Sequence, residues 1–451
     1  MSIKAELFEF GDYCLSTQKN RVEFNYQVIF SNRKRVAFGE TITLPDQFSL
    51  SPSAEKVFNK CLQSLHLILG ISYWKLFIPK KIKIKSFSLT KQQALFWNQV
   101  YTKGLGEFFY QNRIKNFTSL VDFPFKTGLV VNSSSLLRKN RSLVAVGGGK
   151  DSIVSLELLK KNGLPITGVV VETEKHYLFI SKVAQQANIN LLTIKRSLDS
   201  KTISLNKTDK VYKGHLPISA IYAFFDLLAA VVYDYRYLIF SNERSSNEGN
   251  LSYQGTVINH QWSKSSEFET LFNDYVKNYI TPDIKYFSLL RPWHELRIAQ
   301  EFSRHPKYWS VFSSCNRNFS ISHTPPKNRW CGRCPKCASI FLLLAPFIPK
   351  NKLVSIFGKN LFNNQRLLDT YRGLLGLTKT KPFECVGTVD ETRLALYLIW
   401  QKKVYQTSTI IRLFEKEILC ALVNPPLLQQ NVLKTGDLNN IPKNFKLIFQ
   451  P

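Results

Sequence analysis

Apolar and polar positions change period near residue 140. Before it, Phe24–Phe30 and Val36–Pro45 flank the polar run Ser31–Arg35 and predict a hairpin, with helices following over Ser53–His66 and Lys91–Phe109. After it, short apolar runs alternate with amphipathic stretches. Leu143–Val146, Ile166–Val171, Asn190–Ile194 and Tyr237–Phe240 read as strands, and Asp151–Asn162, Tyr177–Ala187 and Pro217–Asp234 as helices. Continuous apolar strands joined by crossover helices predict an α/β fold with a central parallel sheet buried on both faces. An α+β region would precede it and a mostly helical region follow, giving units of 1–140, 141–345 and 346–451. Ligands of such sheets gather beyond the carboxyl ends of the strands. The loops after Val146, Val171 and Phe240 should therefore share one crevice, which makes Glu172, Asn242 and Glu243 candidate nucleotide contacts.

Composition narrows the class. At 451 residues the chain exceeds what one core usually supports. The stretch Met1–Glu9 is acidic and lacks a long apolar run, so no signal peptide is expected. Ile218–Phe240 is apolar enough to resemble a membrane span, but Asp226, Asp234 and Arg236 make it a buried helix followed by a strand. A cytoplasmic protein is expected. The formal charge of +29 is spread through all three units and not gathered in a tail. Such a diffuse field favours polyanionic small molecules over a nucleic-acid footprint, although Lys80–Lys85 would line up lysines as a basic stripe on one strand face.

Eight cysteines in a chain without a signal do not make a disulfide framework. Cys14, Cys61, Cys385 and Cys420 are isolated and read as small core residues. Cys331, Cys334 and Cys337 stand at two-residue gaps, and Cys315 lies upstream. Four converging sulfurs would make a structural Zn²⁺ site, with an iron–sulfur cluster or free, sulfur-relaying thiols as alternatives. The apolar helix predicted at Ser339–Ala345 would tie the cluster to the core.

The most informative string is Gly147-Gly148-Gly149-Lys150-Asp151-Ser152, between a strand and a helix. Glycines let a backbone approach an anion, and the unpaired N–H groups of the first helical turn point at it. Neither the Walker spacing nor Gly-x-Gly-x-x-Gly is present. The string resembles the PP-loop of the ATP pyrophosphatases, Ser-Gly-Gly-x-Asp-Ser, with Gly147 where serine is usual. That resemblance implies splitting of ATP into AMP and pyrophosphate and an adenylated substrate. Gly147, Gly148, Gly149 and Ser152 would hold the pyrophosphate, Lys150 would offset its charge, and Asp151 would help hold Mg²⁺. The magnesium follows from the ATP chemistry and not from a ligand motif.

Three further segments carry a more specific likeness: Ser241–Asn250, Asn259–Glu269 and Arg329–Cys337, joined by Phe383–Thr392. Together they resemble the UDP-N-acetyl-α-D-muramoyl-L-alanyl-L-glutamate epimerases of peptidoglycan synthesis. More distantly, the glycine loop and cysteines are similar to the zinc-bearing cyano-deazaguanine synthases. The first resemblance implies ATP-dependent inversion of the terminal L-glutamate of a UDP-muramoyl dipeptide. Proton transfer needs one or two bases, for which His260, Glu248, Glu267, Asp390 and Glu391 are candidates. Arg244, Lys264 and Arg329 could clamp substrate carboxylates or the diphosphate. A pyrophosphatase that modifies tRNA or a nucleobase is the competing expectation.

Overall fold

The computed structural model describes residues 4–321 and 324–450, so Met1, Ser2 and Ile3 of the acidic amino-terminal stretch lie outside it. Eleven strands occur among the described residues: β1 (Ala5–Ser16), β2 (Arg21–Phe30), β3 (Arg35–Thr43), β4 (Lys81–Ile84), β5 (Ser142–Ala145), β6 (Ile166–Thr173), β7 (Leu191–Ser197), β8 (Tyr237–Phe240), β9 (Leu251–Tyr253), β10 (Thr256–Ile258) and β11 (Lys285–Ser288). Nine form one sheet in the order β11-β8-β5-β6-β7-β3-β2-β1-β4, and β9 and β10 form a separate ribbon. The half from β11 to β7 is parallel, as expected. The predicted hairpin β2–β3 joins that sheet through an antiparallel pairing of β3 with β7. The sheet is therefore mixed, not purely parallel.

Strand residues alternate between two cores, one on each face. Leu143, Val169, Val171, Leu238 and Phe240 enter one core. Val144, Val146, Val170 and Ile239 enter the other. Helices Pro52–Trp74 and Ile218–Tyr233 cover the first face. Lys150–Lys161, Glu295–Phe302 and Pro335–Leu344 cover the second. The helix expected to stop at His66 continues to Trp74, because Leu67–Trp74 is wholly buried. The one expected over Lys91–Phe109 breaks at Leu105, between Gly104 and Gly106, into Lys91–Gly104 and Gly106–Gln111.

A buried ion pair joins the two halves of the sheet: Arg196 Nε lies 2.5 Å from Glu40 Oε1, with both side chains nearly sealed from solvent. The lysine stripe is present on β4 but is partly neutralised. Lys83 and Lys85 pair with Glu9 at 3.1 and 2.8 Å, and Lys80 pairs with Glu6 at 2.8 Å. Of the four cysteines read as core, only Cys61 is buried; Cys14 and Cys420 are exposed, and Cys385 is half-buried on a loop. Among the described residues no helix is long and apolar enough to cross a membrane.

From β5 the chain runs outward through β6 and β7, then returns to the other side of β5 as β8 and β11. The reversal opens a crevice between the carboxyl ends of β5 and β8. Gly147–Ser152 and Ser241–Ser246 border it.

Candidate active site

The glycine loop leaves β5 and enters the helix Lys150–Lys161 with no side-chain cap on its first turn. Its leading N–H groups are thus not satisfied by a capping side chain. Gly148 has φ +72°, and a Cβ there would sit 2.6 Å from a Phe179 ring carbon. A Cβ on Gly149 would sit 2.5 Å from Ser314 Oγ. Ser313 N–H donates to Gly148 O at 3.0 Å and ties the cysteine-bearing segment to the loop. Ser152 Oγ donates to Gly149 O at 3.1 Å.

Behind the loop lies a compact charged set. Lys150 is fully buried, paired with Asp151 and, at 3.1 Å, with Glu295. Lys336 Nζ lies 3.3 Å from the same Glu295 oxygen, while Glu295 Oε2 is buried without a partner. Burial pushes the Glu243 carboxyl up, and the nearby Asp151 and Glu295 carboxylates add to this against the pull of Lys264. Burial also opposes ionisation of Asp151, but Lys150 outweighs it and holds the group below its ordinary range. The partnerless Glu295 Oε2 and the Glu243 carboxyl, beside an open helix start, fit a divalent cation with bound phosphates. Arg291, which the sequence did not single out, fastens this wall. It donates to Glu243 O (2.7 Å), Ser246 Oγ (2.9 Å), Lys264 O (2.5 Å) and Glu269 Oε2 (3.1 Å).

The strap 381–388 crosses the crevice from the carboxyl-terminal region. Asn250 Nδ2 donates to Pro382 O at 3.1 Å, Lys381 pairs with Glu248 at 3.4 Å, and Asn316 binds Glu384. Lys336 Nζ donates to Cys385 O. These contacts bring the Cys385 thiol within electrostatic reach of His260. His260 Nδ1 binds Glu107, which also lies 3.2 Å from His215 Nδ1. Burial works against charge on His260, but Cys385 and Glu107 outweigh it and push its pKa up to about 10. Burial likewise opposes the Cys385 thiolate, yet Lys264, then His260 and Lys336, bring the thiol below its ordinary value.

The remaining expected residues are distributed more widely. Arg244, Glu248 and Asp390 line a cavity of about 520 Å³ with His294 and Thr388. Glu391 is sealed in the protein, where it completes a capping box with Thr388 and accepts from Leu296 N–H at 2.9 Å. Glu267 sits on an exposed helical turn, bound to Lys103 and to Trp262 Nε1 at 2.8 Å. Glu172 accepts from Tyr177 N–H at 2.8 Å and lies 2.7 Å from His176 Nδ1. Asn242 Nδ2 donates to Ser288 Oγ at 3.0 Å. Arg329 has φ +61°, and its carbonyl accepts from Ser313 Oγ and Asn318 Nδ2, each at 2.8 Å.

Beside the loop, the sulfurs of Cys315, Cys331, Cys334 and Cys337 all lie within 4.8 Å of one another and form a group able to hold a metal ion. Cys337 Sγ is 3.7 Å from Cys331 Sγ and 3.5 Å from Cys334 Sγ. A tetrahedron with metal–sulfur bonds of about 2.3 Å has edges of about 3.8 Å, so the knuckle is sized for it. Gly332 at φ +61° makes the turn, and Cys334 caps the helix Pro335–Leu344.

A glycine loop opening an uncapped helix at a reversal of strand order marks an α/β protein with a mixed central sheet. Comparison supplies the family. Residues 2–289 match the MurL N-terminal domain and residues 311–424 the MurL C-terminal domain. A UDP-N-acetyl-α-D-muramoyl-L-alanyl-L-glutamate epimerase of Xanthomonas oryzae pv. oryzae is 37% identical over 380 residues, 84% of this chain and 83% of the relative. Enzymes of the same name from Salinispora tropica and a Micromonospora species are 34% and 33% identical, over 90% and 91% of this chain and 88% and 90% of their own lengths. The chain belongs to this epimerase family.

Proposed function

We propose that the protein inverts the terminal glutamate of UDP-N-acetylmuramoyl-L-alanyl-L-glutamate, using ATP to adenylate the carboxylate beside the stereocentre and releasing AMP and pyrophosphate. The observation that carries this reading is the uncapped helix start at Gly147–Ser152, set at the crevice with Asp151, Glu243 and Glu295 behind it. The sheet is then of the PP-loop ATP pyrophosphatase type, with 141–345 as its nucleotide unit. A side chain at Gly147 would meet nothing within 4 Å, so the serine usual there is not required by packing.

The chemistry explains the cost in ATP. An ionised carboxylate makes the neighbouring Cα–H very weakly acidic, because removing that proton would place a second negative charge beside the first. In the first step a substrate carboxylate oxygen attacks the α-phosphorus of ATP, and pyrophosphate leaves toward the N–H groups of the loop. The resulting acyl-adenylate carries no charge next to Cα. Loss of the Cα proton then gives an enolate, and protonation from the opposite face gives the D-configured acyl group. Water attacks the acyl carbon and frees AMP and the UDP-muramoyl dipeptide, now ending in D-glutamate.

Asp151, Glu243 and Glu295 would hold Mg²⁺, which supplies charge neutralisation on the phosphates. Arg244 at the crevice wall and half-buried Lys264 fit the substrate's anionic groups. Cys315, Cys331, Cys334 and Cys337 would hold a structural Zn²⁺. ATP and UDP-linked precursors are cytoplasmic solutes, which suits a cytoplasmic enzyme. The test is incubation with the UDP-muramoyl dipeptide, with and without ATP and Mg²⁺, followed by chiral analysis of glutamate and assay of AMP. D-glutamate should appear only with ATP, together with AMP. Undiminished inversion without ATP contradicts the proposal.

A further inference from the structure

We propose that Glu107, His215 and His260 form a binding site for a divalent transition-metal ion of the Zn²⁺ class, separate from the four-cysteine knuckle. The site stands whether or not the substrate is adenylated. One carboxylate oxygen, Glu107 Oε2, lies 3.2 Å from His215 Nδ1 and also meets His260 Nδ1. The two imidazole rings have centroids 4.6 Å apart. One donor atom from each of the three residues falls within 4.8 Å of the other two. All three side chains are half-buried, so the group is built into the protein yet within reach of an ion from solvent.

The chain assembles this group from three distant segments and fixes each by contacts of its own. Glu107 stands on the short helix that follows the break at Leu105. The glycines on either side of that break let the helix close on both histidine segments. A Cβ on Gly106 would lie 3.3 Å from Ile258 Cδ1, two residues before His260. A Cβ on Gly104 would lie 3.0 Å from Pro217, two residues after His215. Asn112 Nδ2 donates to Lys213 O at 2.9 Å and Lys75 Nζ donates to Gly214 O, which holds the turn before His215. His260 N–H donates to Asn250 Oδ1 at 2.9 Å.

The donor set decides which ion fits. Two imidazoles with one carboxylate suit Zn²⁺ and its first-row neighbours, whereas Mg²⁺ and Ca²⁺ prefer oxygen throughout. Donor atoms bonded to one tetrahedral zinc at about 2.0–2.1 Å lie about 3.4 Å apart, close to the separation of Glu107 Oε2 and His215 Nδ1. A slight withdrawal of His260 would match the edge on its side. Three protein donors leave a position for water or an anionic group, and such an open site releases its ion more readily than a closed four-cysteine set. The ion takes the place of the proton that Glu107 and the imidazoles otherwise share, so metal and proton compete for the same atoms.

The test is calorimetric titration of the full-length protein with Zn²⁺ in the absence of ATP. The protein is first loaded with Zn²⁺ and then freed of loosely held metal by dialysis against a weak chelator. One exchangeable ion per chain should bind to wild type. Glu107→Gln, His215→Ala and His260→Ala should each weaken it at least about 10-fold, the low end of what is lost even with a residue that only supports a ligand. Asp151→Asn should bind it as wild type does, because the glycine-loop set offers oxygen alone. Co²⁺ added to wild type in place of Zn²⁺ should give weak visible bands without the intense sulfur-to-metal absorption of a thiolate site, which reads the donor set without any substitution. Absence of an exchangeable ion overturns the proposal, as does an affinity unchanged in both Glu107→Gln and His215→Ala. Loss of the ion in Asp151→Asn would place it at the glycine loop, and thiolate absorption by bound Co²⁺ would place it on cysteine; either result also overturns the site.

Discussion

At the scale of single residues, Gly148 and His260 carry the sharpest expectations. Gly148 holds φ +72° with a phenylalanine ring where a side chain would go. Gly148→Ala should destabilise the protein by about 1–3 kcal/mol through backbone strain and crowding and abolish substrate-dependent AMP formation. Denaturant titration alongside an AMP assay checks both, and a fully active G148A would mean that the loop does not hold phosphate. His260→Asn removes one of the cations that lower the Cys385 thiol. The rate of Cys385 alkylation against pH should shift upward by about one unit or more. An unshifted alkylation profile would mean that His260 does not set the thiol's ionisation. The Glu107–His260 contact could not be read from the chain, because the two residues stand far apart in sequence and meet only through folding. The glycine string was legible because all of its chemistry lies in consecutive residues.

At the scale of elements, the helix Val389–Gln401 shows why Glu391 looked like a base and acts as a cap. Its carboxylate accepts from Thr388 N–H at 2.7 Å and from Leu296 N–H at 2.9 Å. Burial would raise its pKa, but His294, then Thr388 N–H and Ser245, hold it at about 2. A depressed carboxyl contributes stability above its unfolded pKa and loses it as pH falls through the folded value. The pair of states differs by about 3 kcal/mol. Glu391→Gln should therefore cost about that much at pH 7, and the gap from wild type should close between about pH 4.5 and 2 in denaturant titrations. A gap independent of pH would show that the charge of Glu391 adds nothing. The buried Glu40–Arg196 pair between β3 and β7 makes a related prediction. Glu40→Ala should cost about 3–5 kcal/mol by leaving the guanidinium unpaired, and a change under 1 kcal/mol would refute it.

The parallel strands were legible because burial on both faces leaves unbroken apolar runs. β1 was not, because Gly11 and Asp12 interrupt it like a turn, whereas the sheet absorbs them in an irregularity between Phe10 and Tyr13. β11 was not, because it holds only two apolar residues between Lys285 and Ser288 and shows no apolar run.

At the scale of the molecule, the four-cysteine knuckle and the strap converge on the glycine loop from the carboxyl-terminal half. Ser313 binds Gly148, Lys336 within the knuckle binds Cys385, and Asn316 beside Cys315 binds Glu384. A metal in the knuckle would thus hold the loop and the strap in register. One zinc per chain should be found by elemental analysis, and Cys334→Ser with Cys337→Ser should remove it and lower Tm by about 5 °C or more. An equally stable variant would show that the cluster does not support the fold.

In the proposed reaction the glutamate carboxylate itself takes up the adenylyl group before the stereocentre inverts. The most direct measurement uses UDP-muramoyl dipeptide labelled with ¹⁸O in that carboxylate, with mass analysis of the AMP produced. AMP should carry one ¹⁸O atom per turnover, because water attacks the acyl carbon and the bridging oxygen stays on phosphorus. Unlabelled AMP accompanying normal inversion would mean that the carboxylate is not adenylated on the way to inversion.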